Sequence, residues 1–405
     1  MATGLTIEIG YPDKISKTLK GGKAMQIEQL MWNKKEGWQN SKQNGAVKNP
    51  QLVLFFGESG ALESGERYLD LRDRYSDAHI IGCTSAGEII DQNVYDETIV
   101  VSAIEFNDTK VLIASVLVNK MSDSFEAGAS IGKELDCPGL RGVLILSDGV
   151  KVNGSQLVRG IRSIVGDNLP VTGGLAGDGT RFKTTLVSCD SKPESGRIGA
   201  IGFYGNNLSI GHGSVGGWDP FGPEREVTRS VGNILYELDK KPALELYKQY
   251  LGEEADNLPG SALLFPLMVR SASDKNTGVV RTVLSISEEE KSMTFAGDVP
   301  QGYVAQLMRA NFDRLIDGAG EAAKLSVRES KKNGAKLAIL ISCVGRKMIL
   351  GQRTEDEIEA VHEMLGRDTA QIGFYSYGEI SPHVSTGCCE LHNQTMTITL
   401  LSEDS

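Results

Sequence analysis

Short apolar runs bounded by glycine recur along the chain in a fixed order. Residues 52–56 read Leu-Val-Leu-Phe-Phe and lead into Gly57-Glu58-Ser59-Gly60. Residues 142–146 read Gly-Val-Leu-Ile-Leu and lead into Ser147-Asp148-Gly149. Gly82-Cys83-Thr84-Ser85-Ala86-Gly87-Glu88 and Thr172-Gly173-Gly174-Leu175-Ala176-Gly177-Asp178 form a second pair. Both pairs stand at one offset of 90 residues, which sets Glu58 on Asp148 and Glu88 on Asp178. A third copy begins with Lys336–Ser342 and continues in Gly373-Phe374-Tyr375-Ser376-Tyr377-Gly378-Glu379-Ile380, which matches Gly82–Ile89 at five of eight positions. Between the landmarks lie stretches of helical character, Leu62–Tyr75, Gly154–Val165 and Thr354–Leu365. Runs that are apolar at every position predict strands buried on both faces. Strand, helix, strand in repetition predicts parallel neighbours joined by right-handed crossovers. The fold class expected is α/β with α+β mixing: repeated strand-helix-strand units forming mixed sheets, in two domains.

Other segments are less regular. Residues 1–48 carry eight lysines and four carboxylates with few apolar runs. A strand is predicted near Thr6–Ile9 and a helix near Lys23–Trp32. Further strands are predicted at Thr185–Ser188, Gly199–Tyr204, Leu208–Gly213, Phe265–Val269, Val279–Ser285 and Met396–Leu401, and a further helix at Tyr303–Ile316. Lys240-Lys241-Pro242 puts proline in the first turn of a helix striped by Ala243, Leu246, Tyr247, Tyr250 and Leu251, with Gly252 as the stop. The chain then divides into an N-terminal segment (1–48), a domain over 49–240 and a domain over 241–405.

Charge narrows the partners. Lys+Arg 42 against Asp+Glu 53 leaves a net charge of −11, a surface that repels phosphate backbones, so no nucleic-acid partner is expected. No apolar run reaches the ~18 residues a bilayer crossing needs, and the N-terminus lacks the basic-then-apolar pattern of a secretory signal. Six cysteines across 405 residues make no disulfide framework, which fits a reducing cytoplasm. Glycine is the outlier: 47 residues, about 12% against a usual ~7%, gathered at the ends of apolar runs where backbone must approach something closely.

Several motifs fail their context. Gly211-His212-Gly213-Ser214-Val215-Gly216 spells a dinucleotide fingerprint, yet Gly217-Trp218-Asp219-Pro220 follows it and cannot open the helix that such a fingerprint needs. The segments around Ser85 and Ser376 lack the first glycine of a nucleophile elbow. With Cys343 they leave a Ser/Cys hydrolase as the third reading, and no enzyme is expected. Cys388, Cys389 and His392 do not match a zinc spacing. The better candidates are the carboxylates Glu58, Glu88, Asp148, Asp178 and Glu379, all at the carboxyl ends of predicted strands, where open parallel sheets bind ligands. Arg346 follows the third landmark strand, and Trp218, Tyr375 and Tyr377 are suited to wall a pocket. Imidazoles at strand ends are His212, His383 and His392.

Taken together, the landmarks resemble the FIST family, the F-box and intracellular signal transduction proteins. The carrying residues are Gly82–Ile89, Gly173–Asp178, Gly217–Pro223, Leu238–Ala243, Ser342–Arg346, Gly373–Ile380 and Leu391–Thr395, in family order over residues 50–400. The resemblance implies N-terminal and C-terminal family domains and a ligand-binding sensory module, not a catalyst. The segment from His212 to Trp218 is similar to that of stand-alone bacterial members of the NosP type, which sense nitric oxide through haem and regulate a partner histidine kinase or cyclic-di-GMP enzyme. That subgroup implies haem b; His212 is the first candidate axial ligand because its flanking glycines leave room for a planar macrocycle, His392 and His383 follow, and the chain could pair as a homodimer. Other members are thought to bind amino acids or similar metabolites. On this alternative Glu88, Asp178, Trp218, Arg346, Tyr375, Tyr377 and Glu379 line the small-molecule site without haem.

Overall fold

Three copies of one α/β unit close on each other in the computed structural model, which describes residues 25–43, 47–258, 260–274, 278–330 and 335–403. The strand expected near Thr6–Ile9 lies outside the described residues. The first unit holds β1 (Gln26–Asn33), β2 (Gly37–Gln43), β3 (Leu52–Gly57), α1 (Ser59–Leu62), α2 (Glu66–Arg74), β4 (His79–Thr84), β5 (Glu88–Ile90), β6 (Asn93–Tyr95) and β7 (Thr98–Glu105). The second holds β8 (Lys110–Leu117), α3 (Ser124–Leu135), β9 (Leu140–Ser147), α4 (Gly154–Val165), β10 (Val171–Leu175), β11 (Val187–Cys189) and β12 (Arg197–Tyr204). β13 (Leu208–Val215) opens the third unit, and an insertion follows it. The insertion carries β14 (Trp218–Pro220), β15 (Arg225–Val231), β16 (Ile234–Leu238), β17 (Lys241–Pro242), α5 (Ala243–Leu251), β18 (Leu267–Arg270), β19 (Val279–Arg281), β20 (Val283–Ser287), β21 (Ser292–Phe295) and β22 (Val304–Ala310). The third unit then resumes with α6 (Phe312–Glu329), β23 (Ala335–Cys343), α7 (Val344–Leu350), α8 (Thr354–Leu365), β24 (Thr369–Ser376), β25 (Gly378–Pro382), β26 (Cys389–His392) and β27 (Met396–Glu403).

In each unit the landmark strands are parallel neighbours: β3 with β4, β9 with β10, β23 with β24. An antiparallel closing strand, β7, β12 or β27, flanks the first of each pair. An outer strand, β1, β8 or β13, lies beyond it. The other side of each sheet takes a strand from a different unit. β5 of the first unit pairs with β24 of the third, β25 of the third with β10 of the second, and β11 of the second with β4 of the first. The exchange runs round a ring, so every unit gives one strand and receives one, and three sheet edges are hidden. The inner faces of the sheets share a core that includes Leu54, Phe56, Leu144, Leu146, Ile341 and Phe374, where the rings of Phe56 and Phe374 stack at 4.6 Å. On the outside α3 lies so close to α4 that a Cβ on Gly160 would collide with the Phe125 carbonyl oxygen.

The insertion builds its own antiparallel sheet over α5, with a separate core around Leu235, Tyr247, Met293 and Phe295. The chain division expected at 240–241 falls inside that sheet, between β16 and its partner β17. The spatial grouping into three units and one insertion thus cuts across the two sequence domains and does not decide their boundary. Three local expectations change. The part of Lys23–Trp32 that is described forms β1, not a helix, because β7 offers it an eight-residue antiparallel register. Leu62–Tyr75 breaks into α1 and α2 at Gly65, whose φ of 72° ends a right-handed turn. Tyr303–Ile316 is strand first: β22 pairs with β18, and the helix starts only after Asn311, whose side chain accepts the Arg314 amide.

Candidate ligand site

Equivalent carboxylates sit at equivalent turns, but their partners differ. Glu88 follows β4 and accepts from the Ser85 hydroxyl, the Thr98 amide (3.2 Å) and the Thr98 hydroxyl (2.8 Å). Glu379 repeats the pattern: Ser376 Oγ at 2.6 Å, Thr395 N at 3.1 Å and Thr395 Oγ1 at 2.9 Å. Burial pushes Glu88 up to about 7 and Glu379 up to about 8 against these bonds. Asp178 is buried too, yet burial is outweighed by the amides of Thr184, Lys183 and Phe182 and the Tyr377 hydroxyl, which hold it below the usual carboxylate range. Glu58 caps α1 through the Ala61 amide, and Asp148 gathers the amides of Val150, Lys151 and Gly196.

The three turns do meet. Ala86 N donates to Tyr375 O (2.8 Å), Gly177 N to Thr84 O (3.0 Å) and Tyr377 N to Leu175 O (3.1 Å). They meet as packed backbone, however, and Glu88 and Glu379 spend their lone pairs on their own turns and on the closing strands of their own units. The expected set of site residues is corrected accordingly. Arg346 is fully buried and donates to Glu357 (Nε 3.0 Å, Nη2 2.7 Å), Gly216 O and Leu315 O. Tyr375 donates to the same Glu357 (2.8 Å). Trp218 is buried with its Nε1 donating to Gln394 O (2.9 Å). These three are structural. Of the expected residues Tyr377 lines the remaining candidate site, and Asp178 stands behind it, bound to Tyr377 and the Phe182 amide.

That site is the crevice between the insertion and the second unit. Asp298, just after β21, accepts Asn153 Nδ2 (2.9 Å), Gln156 Nε2 (3.0 Å) and Arg159 Nη2 (2.6 Å), all from the start of α4. On one side of this latch lies a cavity of about 280 Å³ whose wall includes Arg159, Arg162, Arg281, Asp298, Tyr303 and Glu390. On the other lies one of about 230 Å³ whose wall includes Tyr377, Phe182, Leu175, Asn233, Phe295 and Ala296. Arg281 is only 6% exposed. Its Nε donates to Asp298 O (3.0 Å) and its Nη1 to Leu391 O (2.8 Å). Among the described residues it forms no ion pair with a carboxylate, and burial lowers its pKa to about 10. Sequence reasoning missed Arg281, although a lone cation in Val279-Val280-Arg281-Thr282-Val283 is a signal. Asp298 and Phe182 carried none.

The imidazoles do not fit haem. The glycines beside His212 pack against α6, where a Cβ on Gly211 would collide with Ser326 O and one on Gly213 with Ala322 O, and strand alternation sets the His212 ring on the opposite face. His212 lines a polar hollow with Arg141, Asn168 and Glu329 where β9 and β10 begin, the end opposite the carboxylates. His383 has both ring nitrogens engaged, with Gly278 O (3.2 Å) and Ser385 N (3.2 Å). His392 is buried, donates Nε2 to Ser381 O (3.0 Å), and is lowered to about 3 by burial. Among the described residues no group of three or more His, Cys, Asp or Glu could hold a metal ion, and no helix is long and apolar enough to cross a membrane.

The FIST N domain matches residues 51–241 and the FIST C domain residues 243–382. No curated protein matches the chain. Among solved structures, a crystal structure of cyanuric acid hydrolase from A. caulinodans aligns with a TM-score of 0.34 and 10% identity, over 88% of this chain and 91% of that one.

Proposed function

From the premise that the chain belongs to the FIST family, whose domains are signal-transduction sensors, we propose that it is a cytoplasmic sensor of a small carboxylate metabolite, such as an amino acid. The ligand carboxylate seats on Arg281 in the crevice and is not transformed there. One observation supports the reading: a buried guanidinium in a cavity wall donates its hydrogen bonds to carbonyls, with Glu390 and Asp298 of the same wall acting on it only through space. A cation in that position attracts an anion that can enter, and the pair gains from the low local dielectric. Arg159 stands in the same wall, so an incoming carboxylate competes with Asp298 for it and loosens the hold of the insertion on α4. The insertion is thus the element that reports occupancy to a signalling partner, a histidine kinase or a cyclic-di-GMP enzyme on the family resemblance. A catalyst is disfavoured because Ser85 and Ser376 donate to buried carboxylates, and burial pushes the Cys343 thiol pKa up. Nitric-oxide sensing through haem is not part of this reading, since His383 and His392 are hydrogen-bonded within the protein and the hollow at His212 is lined by the polar groups Arg141, Asn168 and Glu329.

The test is a panel of amino acids and short carboxylic acids in thermal-shift and calorimetric titrations of the full chain. At least one compound is expected to raise Tm saturably, and Arg281→Met to weaken its binding by about thirtyfold or more. A panel with no saturable binder, or a variant that keeps full affinity, overturns the proposal.

A further inference from the structure

The geometry points to a second binding site, across the Asp298 latch from the first, for a small planar aromatic molecule that carries a hydrogen-bond donor and no carboxylate. This goes beyond the carboxylate reading and does not depend on it. The cavity of about 230 Å³ has no charged side chain in its wall, so an ionised ligand would lose its hydration with nothing to replace it. The volume suits a molecule of about ten non-hydrogen atoms, smaller than a drug-sized ligand.

The aromatic preference comes from Phe182 and Tyr377. Their rings stack with centroids 4.3 Å apart and planes 15° from parallel. Phe182 holds φ at 51°, a conformation that a bulky residue avoids. Its amide is held there by Asp178 Oδ1 at 2.8 Å, and the Tyr377 hydroxyl donates to that same carboxylate. Backbone strain is thus maintained to keep a ring that is 39% exposed at the cavity wall. Met121 and Leu284, exposed at 43% and 41%, line the same cavity, which gathers apolar surface in contact with water at one place. A flat apolar guest covers that surface and extends the stack. The donor preference comes from Asn233. Its Nδ2 donates to Phe295 O (2.7 Å), while its Oδ1 accepts from none of the described residues and is left for the guest.

The probe is indole, with benzothiophene as the partner of equal shape that lacks the N–H. Saturation-transfer NMR and calorimetry on the full chain are expected to show saturable indole binding, with benzothiophene weaker by about fivefold. Asn233→Leu should erase that difference. Ala296→Phe fills the cavity and should abolish indole binding while leaving the Arg281-dependent carboxylate response in place. Should Ala296→Phe fail to fold, Phe182→Ser removes the half-exposed wall, with an expected loss of about fivefold or more. Indole that never saturates, or that binds the filled variant unchanged, overturns the inference. Arg281→Met should bind indole as the parent does, so the two sites fail or stand separately.

Discussion

The closed centre of the third unit and the crevice beside the second unit each hold a buried arginine and a buried turn carboxylate, and they treat them in opposite ways. In the third unit Arg346 is paired with Glu357, which also takes Tyr375 and Ser342, and Glu379 is wrapped by Ser376 and Thr395. In the crevice Arg281 hydrogen-bonds to carbonyls and feels Glu390 and Asp298 only through space, and behind the wall Asp178 spends its oxygens on the amides of the loop that carries Phe182. Burial depth is similar in both, so burial does not mark function here. Completeness of pairing separates them: the third-unit cluster is saturated within the fold, whereas the arginine of the crevice, without a hydrogen-bonded carboxylate, is the one proposed to take a guest.

The comparison breaks most visibly at Glu357. Glu357→Gln leaves Arg346 buried without its counter-charge and should cost about 3–5 kcal/mol in urea unfolding. If the loss stays within about 1 kcal/mol, Arg346 is no better paired than Arg281 and the contrast fails. Gly213→Ala probes the close contact of β13 with α6. Because its Cβ meets helix backbone, a loss of about 1–3 kcal/mol is expected, with the remaining cavities unchanged by NMR shift mapping. A neutral substitution would show that α6 does not close against β13 as tightly as the structure has it.

The pH dependence sharpens the same contrast with a smaller effect at any one pH. Glu88 and Glu379 have folded pKa values of about 7 and 8, above the unfolded 4.5, so the folded state holds their protons longer. Their contribution is full below pH 4.5 and is lost as pH rises through 7 to 8. Asp178, depressed below 3.8, contributes above that pH and loses its contribution as pH falls through the folded value. Glu379→Gln should therefore flatten the decline between 4.5 and 8 in unfolding titrations, while Asp178→Asn should leave that window alone and weaken the acid side. An unchanged slope in Glu379→Gln would show that the two turns titrate alike.

Much of the fold was legible along the chain. The strands at 52, 142 and 336, and the helices Gly154–Val165 and Thr354–Leu365, agree with the structure, because apolar runs and amphipathic stripes are local properties. The segment around Lys23–Trp32 was misread because antiparallel pairing with a strand about seventy residues away overrides local propensity. Of the candidate site, Tyr377 and, behind it, Asp178 belong to motifs legible along the chain, whereas Arg281 and Asp298 gain meaning only when the insertion lies against α4.

What the chain determines by itself is its inventory: three copies of one unit, their acidic turns and the glycines that let helices approach. What only the tertiary structure decides is which carboxylates are spent and which cation is left over. The reason is that pairing between residues a hundred or more positions apart depends on strands exchanged round a closed ring and on where an insertion comes to rest. No local pattern encodes either outcome.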